Sequence, residues 1–169
     1  MEKLNLIRII RDHIQTLKNY NSGRYSFWDF VVFLLFPLVI AGCLTYFLCA
    51  LNKDLINTLI TSLSVFAALL FNLLLLIYDI VKKANPSDSF AELKTRFLRE
   101  IYANISYSIL ISMLAIILLL VSSLNVSNHF FQTALTYLVY FLLGNFILTL
   151  FMILRRVHIL LSTEFEKVK

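Results

Sequence analysis

Charge is scarce in this 169-residue chain: 15% of residues are charged and 60% are apolar or aromatic, where a soluble domain carries about a quarter charged residues. Three glycines and two prolines, in no low-complexity tract, exclude collagen-like, linker and disordered classes. The two cysteines, Cys43 and Cys49, sit six apart in one apolar run and point to different helix faces. They support neither a disulfide framework nor a metal pair. No Gly-rich phosphate loop, HExxH, CxxC or Ser/His/Asp set is present, and the segments outside the apolar runs are too short for a catalytic domain with its own core. An enzyme inside a membrane would want paired acids or histidines in its spans, and only Asp79 is offered. No enzymatic activity, cofactor or metal site is expected.

What remains is long uncharged runs. Residues 30–51, 55–78 and 101–154 contain no Asp, Glu, Lys or Arg. About 20 apolar residues cross the hydrocarbon core as a helix, so the last run fits two crossings, with Asn125-Val126-Ser127-Asn128-His129 as the break. The pattern predicts an all-α, polytopic membrane protein with four spans near 30–51, 55–81, 105–124 and 134–154. The runs lack the period-two alternation of barrel strands.

Fourteen of the fifteen basic residues fall in the N-terminal arm (1–29), the central loop (82–104) and the C-terminal tail (155–169); the two remaining loops hold only Lys53. By the positive-inside rule both termini face the cytoplasm. Transmembrane hairpins over 30–81 and 105–154 then alternate with cytoplasmic segments. The first 29 residues carry charge throughout and show no cleavable signal peptide, so the first span is expected to act as the insertion signal. The net charge of +5 predicts contact with anionic lipid. No nucleic-acid-binding fold or motif accompanies it, and direct binding of nucleic acid is not expected.

The cytoplasmic segments read as amphipathic helices. Leu4, Ile7, Ile10, Ile14 and Leu17 recur at three- and four-residue spacing, with Lys3, Arg8, Arg11 and Lys18 off that stripe. Such a helix suits a membrane surface or a partner. Arg8 and His13 share the R-x4-H spacing of HEPN ribonucleases, but those enzymes build their site in a soluble helical bundle that 29 residues cannot supply. In the central loop Ser89 and Glu92 form a capping box. With no breaker before Leu124, the helix from residue 90 is expected to run unbroken into the third span; the fourth likewise continues toward Glu166.

The polar residues inside the spans are the candidate functional groups. Asn72 and Asn145 each lie ten residues before a basic pair, about 15 Å along the helix and near mid-bilayer. This match between halves raises a parallel internal repeat; the alternative is coincidence between ordinary dibasic stops. Each Asn is either interhelical glue or the lining of a pore or cavity. Asp79 pairs with Lys82 or Lys83 one turn on, or forms an acidic ring at a pore mouth. Pro37 and Gly42 mark a kink or hinge. Ser62, Ser64, Ser106, Ser108 and Ser112 allow close helix approach. His129 stands in the outer loop, as a pH-responsive group or an ordinary loop residue. Arg8, Arg11, Lys18, Lys94, Arg96, Arg99, Arg155 and Arg156 are candidate contacts for lipid or a cytoplasmic protein partner.

This plan of four spans, tiny outer loops and basic cytoplasmic segments resembles the small four-helix inner-membrane components of bacterial antiphage defence systems, such as the Kiwa membrane subunit and the membrane effectors of nucleotide-signalling operons. The likeness is one of architecture over the whole chain. It implies a homo-oligomer, with a cytoplasmic partner or ligand that senses infection and membrane perturbation or a pore as output. The expected function is an oligomeric sensor, scaffold or pore-type effector. The rival expectation is a small transporter or transport accessory subunit with a mid-membrane polar site.

Overall fold

The structure, a computed structural model, describes residues 6–17, 27–48, 51–83, 91–124 and 128–167. These form five α-helices: α1 (Leu6–Thr16), α2 (Phe27–Leu48), α3 (Lys53–Lys83), α4 (Ala91–Ser123) and α5 (His129–Lys167). At 1.5 Å per residue α2 is about 33 Å long and α3, α4 and α5 are about 46, 50 and 58 Å. Three segments, Lys53–Lys82, Thr95–Ser123 and His129–Ser162, are long and apolar enough to cross a membrane, and Val31–Phe47 is a shorter apolar helix.

The unbroken helices foreseen from residue 90 to 124 and past Arg155 are present as α4 and α5. Helices α3 and α5 both start earlier than the spans expected from residues 55 and 134. Asn52 Oδ1 accepts the Leu55 amide at 2.7 Å, so α3 starts at Lys53. Asn128 Oδ1 accepts the Phe130 amide at 3.1 Å and α5 begins at His129, inside the loop expected over 125–133. Both are N-cap bonds that satisfy otherwise orphaned amides. Cys49, Lys18 and the Ser89 cap lie outside the described residues, as do the side chains of Glu92 and Lys94. Cys43 is exposed and carries a free thiol.

The packing order is α3–α4–α5–α2, with α1 laid on α4. Among the described residues the backbones of α2 and α3 do not approach each other, whereas α4 and α5 run closely together. The two halves of the chain therefore pack differently. Polar and small residues fill the joints. Asn104, Ser108, Ser112 and Ser122 of α4 and Thr136, Asn145 and Thr149 of α5 are all buried. Large apolar residues point outward instead, among them Leu35 and Phe36 of α2 and Leu69, Leu75 and Leu76 of α3. Small interhelical residues with an apolar exterior are the pattern of helices packed in lipid. Of the serines singled out for close approach, Ser108 and Ser112 are buried, Ser106 is half-buried, and Ser62 and Ser64 face outward.

Pro37 is fully buried within an unbroken α2. Its place is opposite Gly144 of α5, where an added Cβ would stand 3.0 Å from the proline Cβ and 3.3 Å from its Cα. One turn away the Tyr137 hydroxyl donates to the Leu38 carbonyl at 3.2 Å. Gly42 is different: a Cβ there would meet only the Tyr137 ring, at an ordinary 3.8 Å. Overpacking a rigid contact costs about 1–3 kcal/mol, and removing a helical glycine returns up to about 1 kcal/mol. Gly144→Ala is therefore expected to lower the melting temperature in mild detergent, and Gly42→Ala to leave it unchanged or raise it. A Gly144→Ala chain that melts no lower than Gly42→Ala would remove the Pro37–Gly144 contact from this account.

Candidate functional site

Where α1 meets the bundle, a small polar cluster joins three helices. His13 of α1 is 2% exposed, and so is nearly lost to solvent. Its Nδ1–H donates to Asn104 Oδ1 of α4 at 2.9 Å. The ring lies flat on Tyr107, centroids 3.8 Å apart and planes within 5°, with Phe33 of α2 tilted against it at 5.1 Å. The Thr16 hydroxyl stands 2.7 Å from the His13 carbonyl and 2.9 Å from Asn104 Oδ1, its single proton serving both acceptors.

The α5 helix enters through Arg156. Its guanidinium donates to the Thr16 carbonyl at 2.8 Å and to the Glu100 carbonyl at 3.3 Å. It also pairs with the Glu100 carboxylate at 3.4 Å, and Arg96 holds the other carboxylate oxygen at 3.3 Å. The Arg156 side chain is 13% exposed, far less than Arg8 at 80%. The Arg8–Asp12 pair at 3.9 Å is on the surface and adds little. Arg156 thus closes the C-terminal carbonyls of α1, where a helix dipole favours a cation.

Burial sets the chemistry of His13. Loss of solvent lowers its pKa from 6.5 to about 4, the Asn104 bond works in the opposite direction, and the Arg156 charge adds to the lowering. The imidazole is neutral at pH 7, with Nε2 a bare acceptor. His13 Nε2, Asn104 Nδ2 and Ser108 Oγ are all buried without a hydrogen-bond partner among the described residues. Protonation would put an N–H donor at Nε2 with nothing to receive it and a guanidinium nearby.

The amphipathic stripe expected of α1 is buried only toward its C-terminal end, where Leu17 is buried and Ile14 half-buried. Ile7 is 76% exposed and Ile10 also points outward, while His13 and Leu17 turn inward with Thr16 half-buried beside them. The docking is polar because α4 offers a polar surface there. Sequence spacing could not reveal it: the amide that receives His13 lies 91 residues away.

Two cavities flank the seam between α2 and α5. One, about 430 Å³, lies beside the cluster and is bounded by Thr16, Phe33, Phe97, Leu148, Arg155 and Arg156. The other, about 440 Å³, lies toward the opposite end, among Thr45, His129, Gln132, Thr136 and Tyr137. Between them Pro37 abuts Gly144.

The structure separates the two mid-span amides. Asn145 is buried on α5, and its Nδ2 donates to the Phe141 carbonyl at 3.1 Å. Asn72 faces outward from α3 with no side-chain hydrogen bond among the described residues. Asp79 is also exposed and forms no ion pair among the described residues. Of the basic candidates, Arg96 and Arg156 converge on Glu100, while Arg8, Arg11, Arg99 and Arg155 are exposed.

The burial of His13 makes its cluster a candidate latch on α1 and predicts a pH response. Above about pH 6.5 the imidazole is neutral whether α1 is docked or free, and docking does not depend on its titration. As pH falls from 6.5 toward 4 the free helix binds a proton that the docked helix resists, so docking loses up to about 3 kcal/mol. A spin label at Gln15→Cys, with Cys43 and Cys49 replaced by Ala, is expected to gain mobility over that interval. Glu100, Tyr107, Arg156 and Asp12 also face or flank the ring, so the His13→Gln chain isolates the effect: its profile should be flat across the same interval. Equal mobility at both ends of the range in the His13 chain would argue against the latch.

No protein-family model, characterised protein or solved structure matches this chain.

Proposed function

We propose that the chain is a homo-oligomeric inner-membrane protein with four spans and both termini in the cytoplasm, acting as a sensor, scaffold or pore-type effector for a cytoplasmic partner. The observation that carries this reading is the outward face of α3. Its inward stripe is Ile56, Leu63, Leu70 and Ile77. The opposite face carries Asp54, Thr58, Thr61, Val65, Ala68, Asn72, Leu75 and Asp79, all exposed, at the alternating three- and four-residue steps of a helix–helix seam.

Asn72 lies eleven residues before Lys83, about 16 Å along α3 and deep in the hydrocarbon of a bilayer. A carboxamide moved into a medium with no partner costs about 4–8 kcal/mol. Lipid cannot relieve that cost, but a second copy can, because an amide both donates and accepts and so complements itself across a symmetry axis. A ring of such faces is also the means by which four-helix subunits, each too small to enclose a channel, would line one between them.

The partner contact is assigned to the outer face of α1, where exposed Leu6, Ile7 and Ile10 lie among exposed Arg8 and Arg11. A role in antiphage defence rests on the architectural resemblance, and a plaque assay on cells with and without the gene for this chain tests it. The transport reading is favoured by the paired hollows along the α2–α5 seam and would appear as substrate-dependent flux into liposomes.

Interhelical hydrogen bonds in membranes are worth about 0.6 kcal/mol on average and up to about 1.7. Asn72→Leu should accordingly weaken self-association by roughly three- to twentyfold, read by native mass spectrometry across a dilution series in mild detergent. Asn145→Leu, on the buried face, should leave the subunit distribution intact at matched folding. A wild-type chain that stays monomeric at every concentration would overturn the proposal.

A further inference from the structure

We propose that the cavity between α1, α2 and α5 binds the head and upper chain of an anionic glycerophospholipid, one per protomer. The site has two kinds of wall. Val32 and Phe33 of α2 and Leu148, Phe151 and Met152 of α5 make it apolar along its length. Arg155, Arg156 and Thr16 supply the polar lining toward one end, with Ile159 one turn beyond the arginines. Val32 and Phe151 are exposed at the rim, so the apolar part opens sideways, toward the surface that α2 and α5 present to acyl chains.

The two arginines have different duties. Arg156 is already engaged by Glu100 and the Thr16 carbonyl, and it supplies a fixed background charge. Arg155 is exposed and has no carboxylate partner among the described residues. A guanidinium with its donors free matches a phosphodiester in a two-pronged geometry. A cation at one end of a laterally open apolar slot is the complement of an amphiphile with an anionic head. A water-soluble nucleotide would find no polar surface for a base along Phe33, Leu148 and Met152, and an uncharged lipid would leave Arg155 unanswered.

The site also touches the latch. Thr16 and Leu17 of α1 form part of the cavity wall, so a lipid seated there braces the C-terminal turn of α1 against α5. The binding inference does not depend on subunit assembly, and the two fail separately: the lipid is counted per protomer, whatever the oligomer.

The test uses the full chain in nanodiscs of phosphatidylcholine doped with phosphatidylglycerol, followed by native mass spectrometry of retained lipid. One phosphatidylglycerol per protomer is expected, favoured over phosphatidylcholine by about tenfold, or about 1.4 kcal/mol. Arg155→Gln should cut the preference to near unity, Leu148→Trp should exclude the lipid by filling the slot, and Lys82→Gln on α3 should behave as wild type. Arg155 is exposed, so its variant keeps the fold even if Leu148→Trp does not. Equal retention of the two lipids, or the same preference in Arg155→Gln as in Lys82→Gln, would overturn the proposal. Displacement of the lipid by excess inorganic phosphate would also overturn it, by showing a site for a free anion.

Discussion

A polar group that leaves water must find a partner, and hydrocarbon offers none. That constraint orders the rest of this molecule. Backbone amides are satisfied within long helices. Side-chain hydroxyls do the same: Ser64, Ser106, Ser112, Thr136 and Thr149 each return a bond to a carbonyl three or four residues earlier in their own helix. With their polarity discharged locally, the buried ones, Ser112, Thr136 and Thr149, act as small, nearly apolar spacers between helices. Away from the polar positions on the outward face of α3, the exterior is largely Leu, Phe, Val and Ile.

The same constraint explains why α1 lies as it does. Ile7 and Ile10 stay exposed when α1 docks, and Ile14 is half-buried. A histidine, a threonine and a set of C-terminal carbonyls gain a great deal, since Asn104 and Arg156 stand ready for them. Docking is therefore driven by the polar minority of α1. Leu6, Ile7 and Ile10 are left facing out, next to Arg8 and Arg11, which is a surface suited to headgroups or to another protein.

Much of the architecture was legible in the sequence because span length and charge are strong, local signals. Uncharged runs marked the helices, and missing breakers predicted that α4 and α5 would be long. The helix ends were less visible, since Asn52 and Asn128 had to be recognised as caps rather than loop residues. Long-range chemistry was hidden for a plain reason. The significance of His13 depends on Asn104, Tyr107 and Arg156, which no spacing rule connects to it; its R-x4-H spacing pointed instead to a chemistry the chain cannot house. Gly144 is a lone glycine with no second one at four-residue spacing, and only the proline across the seam gives it meaning. Asn72 and Asn145 looked equivalent by position along the chain, yet α3 and α5 rotate them to opposite environments.

One further consequence follows from the seam between α2 and α5. A rod held tightly at its midpoint, with empty space on each side, is a see-saw. Any rigid tilt of α2 about Pro37 that shrinks the hollow beside Phe33 must enlarge the one beside Thr45, and the reverse. The two ends of the molecule, more than a bilayer's half-thickness apart, thereby share a single mechanical coordinate without any change in helix length.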